Sequence, residues 1–249
     1  MVGWLALSGC AAIEDAKDAI AGATDTTVMQ GSVLGVQPPT DPNLAPLLAG
    51  TGFEPGTSAT VFLADASSPD ELEDSPLTGA SVQVESAVLS EGEPGLYTVA
   101  PDQGPAYEVG ASWTISVDDG VAHAASLVLP APAADVLGTD PVIDHAFGSP
   151  LAVALTGLGF ASSIVVVITP SGTLSFNNTP QTIAELYDAT KSEDVGTVEI
   201  PSDAFETTGL YAVGVAGMAH SEADGLTELN TLLSKVRAGE MVFTPVNVQ

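Results

Sequence analysis

The sequence predicts a mainly β protein with two Ig-like or prealbumin-like β-sandwich domains, the second carrying one or two inserted helices. Three observations favour this fold. From residue 27 onward, short β-branched runs are broken by Gly, Pro and Asp, a pattern typical of β-strands. Hydrophobic residues make up 45% of the chain, which is enough for a packed core. Similar stretches also recur roughly 110 residues apart, about the size of one sandwich domain.

The recurrence has two parts. The stretch 51–53 (Thr-Gly-Phe) precedes an apolar run at 59–63, as 156–160 precedes the run Ile164–Ile168. The stretch 95–99 (Gly-Leu-Tyr-Thr-Val) matches 209–213 (Gly-Leu-Tyr-Ala-Val). We therefore expect two related domains rather than one large sheet. The predicted domains span 27–130 and 141–249, and the linker 131–140 begins where closely spaced prolines interrupt strand pairing.

The N-terminal segment contains a short motif around the only cysteine of the chain. Leu7-Ser8-Gly9-Cys10 resembles a lipobox, in which cleavage before the cysteine leaves that residue to carry a lipid. Residues 1–10 then form a partial signal peptide and 11–26 a tether. A signal peptide also needs a basic region and about 7–15 apolar residues, and this chain has neither before Cys10. Either the start codon lies upstream of Met1 or the match is accidental.

The first predicted domain contains six strands, at 28–36, 59–64, 80–86, 96–99, 112–117 and 121–129. The last two flank Asp118-Asp119-Gly120, so we expect them to form a hairpin. Trp113, Ile115 and Val117 alternate with polar residues and should form its buried face.

The second predicted domain contains strands at 151–156, 163–169, 172–176, 196–200, 211–217 and 241–248. A first helix should open at Thr179-Pro180 and run through Tyr187. A second is expected at about 221–237, with Ser221 as its cap, an apolar face at 226, 229, 232, 233 and 236, and Gly239 beyond its end. Lys235 and Arg237 would complement the dipole in its last turn, a purely structural role.

The charge balance excludes whole classes of partner. The chain has 32 acidic residues against 4 basic ones, for a formal net charge of −28. Four bases cannot neutralise a row of phosphates, so nucleic-acid binding is excluded, as is electrostatic binding to anionic lipid. Membrane attachment would depend on the lipid on Cys10 alone.

The sequence predicts no catalytic, metal or cofactor site. A nucleophile elbow, a zinc-protease motif and a phosphate loop do not occur, and His123, His145 and His220 have no ligand spacing. His123 is expected on the outer face of the hairpin, and His145 and His220 in loops. The loop 65–74 offers weak calcium candidates, which are Asp65, Asp70, Glu71, Glu73 and Asp74. It lacks EF-hand spacing, so a solvated acidic loop is the favoured interpretation.

Several short stretches resemble a known type of module. The segments 79–84, 95–97 and 109–117, with the closing 129–130, resemble the prealbumin-type, carboxypeptidase-regulatory-like modules of bacterial lipoproteins. The segment 156–160 resembles an Ig-like or fibronectin-type module. Together they cover most of residues 27–217. The resemblance implies a non-enzymatic surface or periplasmic module and transfers no functional residue.

The leading hypothesis is a lipid-anchored, exported β-sandwich protein that acts as a binding, adhesion or envelope-structural module with a protein or glycan partner. It would lie in the cell envelope outside the cytoplasm, at the outer membrane of a Gram-negative host, since Ala11 and Ala12 follow the cysteine. One alternative is a carboxylate-dependent hydrolase with a site between the two domains. Another is a sandwich that depends on a divalent cation.

Overall fold

The computed structural model describes residues 26–106, 108, 110, 112–128, 136–138, 140–191, 195–220 and 229–249, with 112 and 123–128 described by their backbone. These residues form fifteen strands. The strands are β1 Thr27–Val36, β2 Gly56–Asp65, β3 Ser81–Val84, β4 Ala87–Val88, β5 Ser90–Glu91, β6 Leu96–Val99, β7 Ser112–Asp118, β8 Ala122–Val128, β9 Ile143–His145, β10 Leu151–Ala154, β11 Ser162–Ile168, β12 Leu174–Asn177, β13 Thr197–Ile200, β14 Gly209–His220 and β15 Lys235–Val248.

Helical structure is sparse in the described residues. There are two short α-helices, α1 at Ala45–Leu48 and α2 at Ile183–Ala189. Single 3₁₀ turns occur at Pro69–Glu71 and Ser202–Ala204. Within these same residues, none of the helices has the length and apolar character needed to cross a bilayer. The predicted mainly β fold class is confirmed.

Three sheets make two sandwiches. The largest has nine strands in the order β12-β11-β14-β15-β1-β2-β6-β5, with β9 also pairing with β15. The four-stranded sheet β4-β3-β7-β8 packs on its first half, around a core that includes Tyr97, Trp113 and Ile115. The two-stranded sheet β10-β13 packs on its second half, around Phe205 and Tyr211. We call the face that meets these smaller sheets the inner face and the opposite one the outer face.

The two sandwiches share the large sheet, which the sequence does not predict. Strand β15 joins them, because residues 235–241 pair in parallel with β1 while residues 237–248 pair antiparallel with β14. Val236 and Ala238 belong to the first core, and Val246 and Val248 to the second. The last strand of the second half thus completes the hydrogen bonding of the first half.

The predicted helix at about 221–237 is wrong where the structure describes it. Residues 230–234 form a turn, with the Ser234 amide donating to the Asn230 carbonyl at 2.8 Å, and Lys235 begins β15. Residues 221–228, including the predicted cap Ser221, lie outside the described residues. Leu229 and Val236 are buried as expected, but in the first sandwich core. Backbone pairing on both sides of β15 outweighs the local helical pattern.

The outer face of the large sheet is also covered. Ile164, Val166 and Ile168 pack there with α1 and its flanking residues. Helix α2 covers a separate region through Ile183 and Leu186. Burial on both faces explains why the run at 162–168 is continuously buried rather than alternating. Helix α2 shares its apolar cluster with Val28, Phe62 and Ala64, which places it over β1 and β2.

Helix α2 confirms the first predicted helix, with a later start. Its N-cap is Thr182, whose Oγ1 accepts a hydrogen bond from the Glu185 amide at 3.2 Å. The Glu185 carboxylate in turn accepts from the Gln181 amide at 2.7 Å. This reciprocal arrangement resembles a capping box. It places the helix start three residues beyond Thr179-Pro180.

The other strand predictions hold, with errors mainly at strand ends. Each predicted strand occurs, and β7 and β8 pair as the expected hairpin, with Ser112 opposite Val128. Trp113, Ile115 and Val117 are buried as predicted. Strands β4, β5 and β9 were not predicted because two or three residues are too few for a periodic pattern.

Limited proteolysis with a broad-specificity protease tests how the halves are joined. Cleavage within 131–140 should give two fragments on a denaturing gel that remain one species in gel filtration. The reason is that β1 and β15 stay hydrogen-bonded over seven residue pairs. Separation of the fragments without denaturant would contradict the shared sheet. Cleavage before residue 27 is the internal control, since it should leave the core intact.

Candidate functional site

Basic residues gather at one place on the outer face of the large sheet. Lys191 follows α2, and Lys235 and Arg237 lie at the start of β15. Together they are three of the four Lys and Arg residues of a chain with net charge −28; the fourth, Lys17, lies outside the described residues. Two of them line a pocket of about 500 Å³ that we call the cationic pocket. Its lining consists of Ala161, Tyr187, Thr190, Lys191, His220, Leu232 and Lys235.

Strand register brings these side chains together. Arg237 of β15 lies opposite His220, the last residue of β14. Lys235 is two residues earlier on β15 and therefore shares the outer face with Arg237. Ser162 of β11 lies opposite Met218 of β14, two residues before His220, so it faces the same side. Three adjacent strands thus contribute polar groups to one region of the sheet.

Arg237 is the largest of the fully buried side chains in the described residues. Its Nη1 donates a hydrogen bond to Ser162 Oγ at 3.1 Å, while its Nε has no partner. Within the described part of the chain it forms no salt bridge. Burial lowers the pKa of the guanidinium from its ordinary value to about 10, so it remains charged at neutral pH. A buried, incompletely satisfied cation is costly, and such groups often mark functional sites.

His220 lies between the pocket and this buried cation. Its Nε2 is 3.5 Å from Ser162 Oγ. Burial first, and then the positive charges of Arg237 and Lys235, lower the pKa of His220 from 6.5 to about 4. The imidazole is therefore neutral at physiological pH and can donate one hydrogen bond without adding charge.

Lys191 forms the more exposed side of the pocket. Its Nζ lies 2.6 Å from Asp188 Oδ1 and 4.5 Å from the centroid of the Tyr187 ring. The pair with Asp188 is well exposed and contributes little stability. Thr190 is nearly buried and donates its hydroxyl to the Tyr187 carbonyl at 2.7 Å. These contacts hold the end of α2 against the pocket.

The structure overturns the sequence interpretation of these bases. Lys235 and Arg237 do not complement a helix dipole, because they lie in β15, and His220 lies in β14 rather than in a loop. The useful signal was present in the sequence. Half of all the bases stand two residues apart, and on a strand that spacing puts both on one face.

A second concave region, of about 430 Å³, lies between the two halves, and we call it the inter-half groove. One wall comes from Phe62 and Leu96 of the first half, and another from residues 181–183 at the start of α2. The lining is mostly apolar, and Glu73 and Glu93 are its acidic members. Because α2 contributes to both concavities, the groove and the cationic pocket lie at opposite ends of that helix.

The calcium candidates lie in and around the 3₁₀ turn that follows β2. Asp65 is the last residue of β2, and Asp70 and Glu71 lie in the turn. Glu73 lines the inter-half groove, and Asp74 is the next residue in the chain. The Glu71 carboxylate accepts from Ser67 N at 2.9 Å and from Ser67 Oγ at 2.8 Å. The backbone hydrogen bond from Ser67 is the main cause of the lowered pKa of Glu71. Among the described residues, no three acidic, His or Cys side chains converge as a metal site.

The remaining residues singled out from the sequence are one cysteine and two histidines. Cys10, the candidate for lipidation, lies outside the described residues. His145 ends β9 rather than lying in a loop, with its Nε2 2.9 Å from the Ser149 carbonyl oxygen. His123 belongs to β8, and its side chain is not among the described atoms.

One carboxylate lies inside the molecule between the two sandwiches. Glu240 is fully buried on β15, where its oxygens accept hydrogen bonds from Gly110 N at 2.9 Å and Gln37 Nε2 at 3.1 Å. Its burial keeps it away from a substrate. Among the described residues, the acidic side chains that line the inter-half groove are Glu73 and Glu93.

Comparisons with known proteins identify no family. No family model matches the chain, and no curated protein matches it. Among solved structures, the chain is similar to the crystal structure of DIP-gamma IG1+IG2, with 8% identity and a TM-score of 0.21 over 90% of this chain and 97% of that one. A similarity of this size supports neither a detailed fold assignment nor a function.

Proposed function

We propose that this protein is a lipid-anchored, non-catalytic binding module built on two sandwiches that share a sheet. The observation that carries binding is the cationic pocket. It is a concave site of about 500 Å³ whose charge is opposite to that of the whole chain. Pockets of roughly 300–1,000 Å³ with a few converging polar groups are the usual form of small-molecule sites. The site is formed on a sheet and a packed helix, which favours a fixed geometry.

The chemistry of the pocket favours binding over catalysis. Ser162 and His220 are close enough to suggest a nucleophile and its base, but the separation of 3.5 Å is long. A general base works best when its pKa is near the operating pH, whereas the pKa of His220 is about 4. The Ser162 oxygen accepts a hydrogen bond from Arg237, so the hydroxyl can still donate its proton to a ligand. The pair is better suited to holding a ligand.

The alternative function, a carboxylate-dependent hydrolase, is favoured by one observation. Glu73 and Glu93 both line the inter-half groove. Two carboxylates flanking a bond could act as acid and base. The mostly apolar lining, with Phe62 as its only aromatic residue, offers little for a polar polymer such as a sugar chain. Turnover abolished by Glu73→Gln and by Glu93→Gln would favour this alternative over the binding module.

Membrane attachment rests on Cys10 and is tested by Cys10→Ala in the full precursor, expressed in its own host. We expect the wild type to carry a lipid and to enter the detergent phase, and the variant to remain in the aqueous phase. A net charge of −28 gives no electrostatic attraction to an anionic bilayer, so the acyl chains must supply the binding energy. Mass spectrometry checks the lipid, and Ser8→Ala is the matched control. Equal partitioning of wild type and Cys10→Ala would contradict the anchor.

A further inference from the structure

We propose that the cationic pocket binds a small organic anion, a phosphate or carboxylate carrying a short apolar group, with Lys235 and Lys191 contacting the anionic end. This inference rests on the proposed binding function and names its ligand class. Four observations lead to it. They are the placement of the bases, the buried guanidinium whose Nε has no partner, the neutral imidazole and the shape of the pocket.

The placement of the bases is the first observation. The chain has 32 carboxylates that could pair with its few cations, yet neither Lys235 nor Arg237 forms a salt bridge within the described residues. Cations packed together without carboxylates repel one another and create a locally positive potential. An anionic ligand would relieve that repulsion. Lys191, which is paired with Asp188 at the surface, can turn toward the ligand at small cost.

Arg237 acts from behind the pocket. Its side chain does not line the cavity, but its Nη1 binds Ser162 Oγ, which lies beside His220. In a buried environment a charge acts over several ångströms with little screening. Arg237 is thus a positioning residue. It orients Ser162 and, after burial and with Lys235, contributes to the lowered pKa that keeps His220 neutral and available as a hydrogen-bond donor.

The apolar part of the lining indicates that the ligand carries an apolar group beside its anionic end. Leu232 is 45% exposed, and with Ala161 and the Tyr187 ring it gives the pocket a hydrophobic side. An inorganic ion would leave this apolar surface exposed to water. A volume of about 500 Å³ accommodates a ligand of a few to some twenty heavy atoms. An aromatic or short aliphatic group attached to the anion fits this division between charged and apolar walls.

The overall charge excludes a large polyanion. A nucleic acid or acidic polysaccharide would extend beyond the pocket over a surface carrying most of the 32 acidic residues. A small ligand lies within the pocket, and at 0.15 M salt charges beyond about 8 Å are largely screened. The positive groups of the pocket therefore dominate for a small anion only.

Phenyl phosphate is the probe that tests the proposal. The full chain is titrated at pH 7.5 and 0.15 M NaCl by calorimetry, with benzyl alcohol as the uncharged probe and inorganic phosphate as the probe without an apolar group. We expect saturable binding of phenyl phosphate, weaker binding of phosphate and none of benzyl alcohol. Benzoate is a second arm that separates a preference for phosphate from one for carboxylate. Binding of either anion supports the proposal.

The variants identify the site. Lys235→Gln should weaken binding about tenfold, the effect of losing one charge-assisted contact of about 1.4 kcal/mol. Lys191→Gln should have a smaller effect, because that base is shared with Asp188. Lys17→Gln is the matched control, since it removes the same charge from the N-terminal segment that precedes β1. Melting temperatures of all three verify folding, and Lys235→Arg should retain most of the affinity.

Four outcomes would overturn the proposal. They are absence of binding, equal binding of benzyl alcohol and phenyl phosphate, an affinity that Lys235→Gln leaves unchanged, and binding that appears only after Glu222→Gln, Asp224→Asn and Glu228→Gln. The last would mean that the cations serve carboxylates of the chain itself. Phenol release is monitored in parallel. Turnover that is lost in Lys235→Gln would support the anion site and refute the non-catalytic function. Absence of binding would refute the anion site, and membrane anchoring would still be tested separately by Cys10→Ala.

Discussion

Gly239→Ala should destabilise the whole protein by about 3 kcal/mol. Gly239 lies at the junction of the two sandwiches, opposite Leu34 of β1 and Met218 of β14. A Cβ at this position would stand 2.6 Å from the carbonyl oxygen of Gly217 and would also collide with the Met218 sulfur. The thioether can move, but the backbone oxygen is held by sheet pairing. Strands β14 and β15 would have to separate locally.

The measurement is chemical denaturation of Gly239→Ala alongside Gly92→Ala. At Gly92 a Cβ would meet nothing within 4 Å, so this control should change stability by less than about 0.5 kcal/mol. For a chain of this size the expected loss corresponds to a fall in Tm of roughly 6–12 °C. We also expect a single transition, since β15 belongs to both sandwiches. Loss of only one of two resolved transitions would show that the halves unfold independently.

The strands were predictable because their signal is local. Alternation of Trp113, Ile115 and Val117 around Asp118-Asp119-Gly120 was enough to give the β7–β8 hairpin and its buried face. The recurring Gly-Leu-Tyr stretch likewise marks equivalent strands. Tyr211 donates its hydroxyl to the Thr207 carbonyl at 2.9 Å, as in a tyrosine corner. In these cases neighbouring residues contain the information that determines the structure.

The shared sheet was not predictable, because its pairing is nonlocal. Strand β1 lies near the start of the described chain and β15 at its end, and no local pattern records that they pair. Residues 235–241 are buried on both faces, so they lack the alternation of a half-exposed strand. The same apolar positions, read with Ser221 and Gly239, fit a helix. The length of this apolar pattern and its capping residues favoured a helix, but the pairing of β15 with β1 and β14 makes it a strand.

The candidate site was missed for the same reason. Lys235 and Arg237 become a site only when β15 sets Arg237 opposite His220 and α2 brings Lys191 to the same face. The sequence shows that bases are scarce, and we used this to exclude polyanionic partners. The same scarcity means that a cluster of bases in the folded protein is significant. Recognising that cluster requires the strand register, which the sequence does not reveal.

Arg237→Met should stabilise the protein while weakening its response to an anion. Lowering the pKa of Arg237 from its ordinary value to about 10 corresponds to a cost of about 3 kcal/mol at neutral pH, at 1.36 kcal/mol per pKa unit. The sign follows from the direction of the shift. A base with a depressed folded pKa is protonated more readily in the unfolded state, so burial of the charge favours unfolding at every pH below about 10.

Methionine removes this cost and fills most of the same volume. The variant loses the hydrogen bond to Ser162, worth about 1–2 kcal/mol, so we expect a net gain of about 2 kcal/mol and a rise in Tm of roughly 4–8 °C. Arg237→Ala is the contrasting variant, since its cavity should offset the gain. The pKa of His220 provides an independent readout by NMR titration. It should rise from about 4 when the charge of Arg237 is removed, although burial will still hold it below its usual value.

The comparison with ligand separates a structural from a functional arginine. If Arg237 serves the anion site, phenyl phosphate should raise the Tm of the wild type more than that of Arg237→Met, because the variant has lost the buried positive charge behind the pocket. Stability would then have been sacrificed for binding, a common feature of functional sites. A loss of 2 kcal/mol or more in Arg237→Met would contradict this account. It would show that the folded protein satisfies the guanidinium with a carboxylate beyond the described residues.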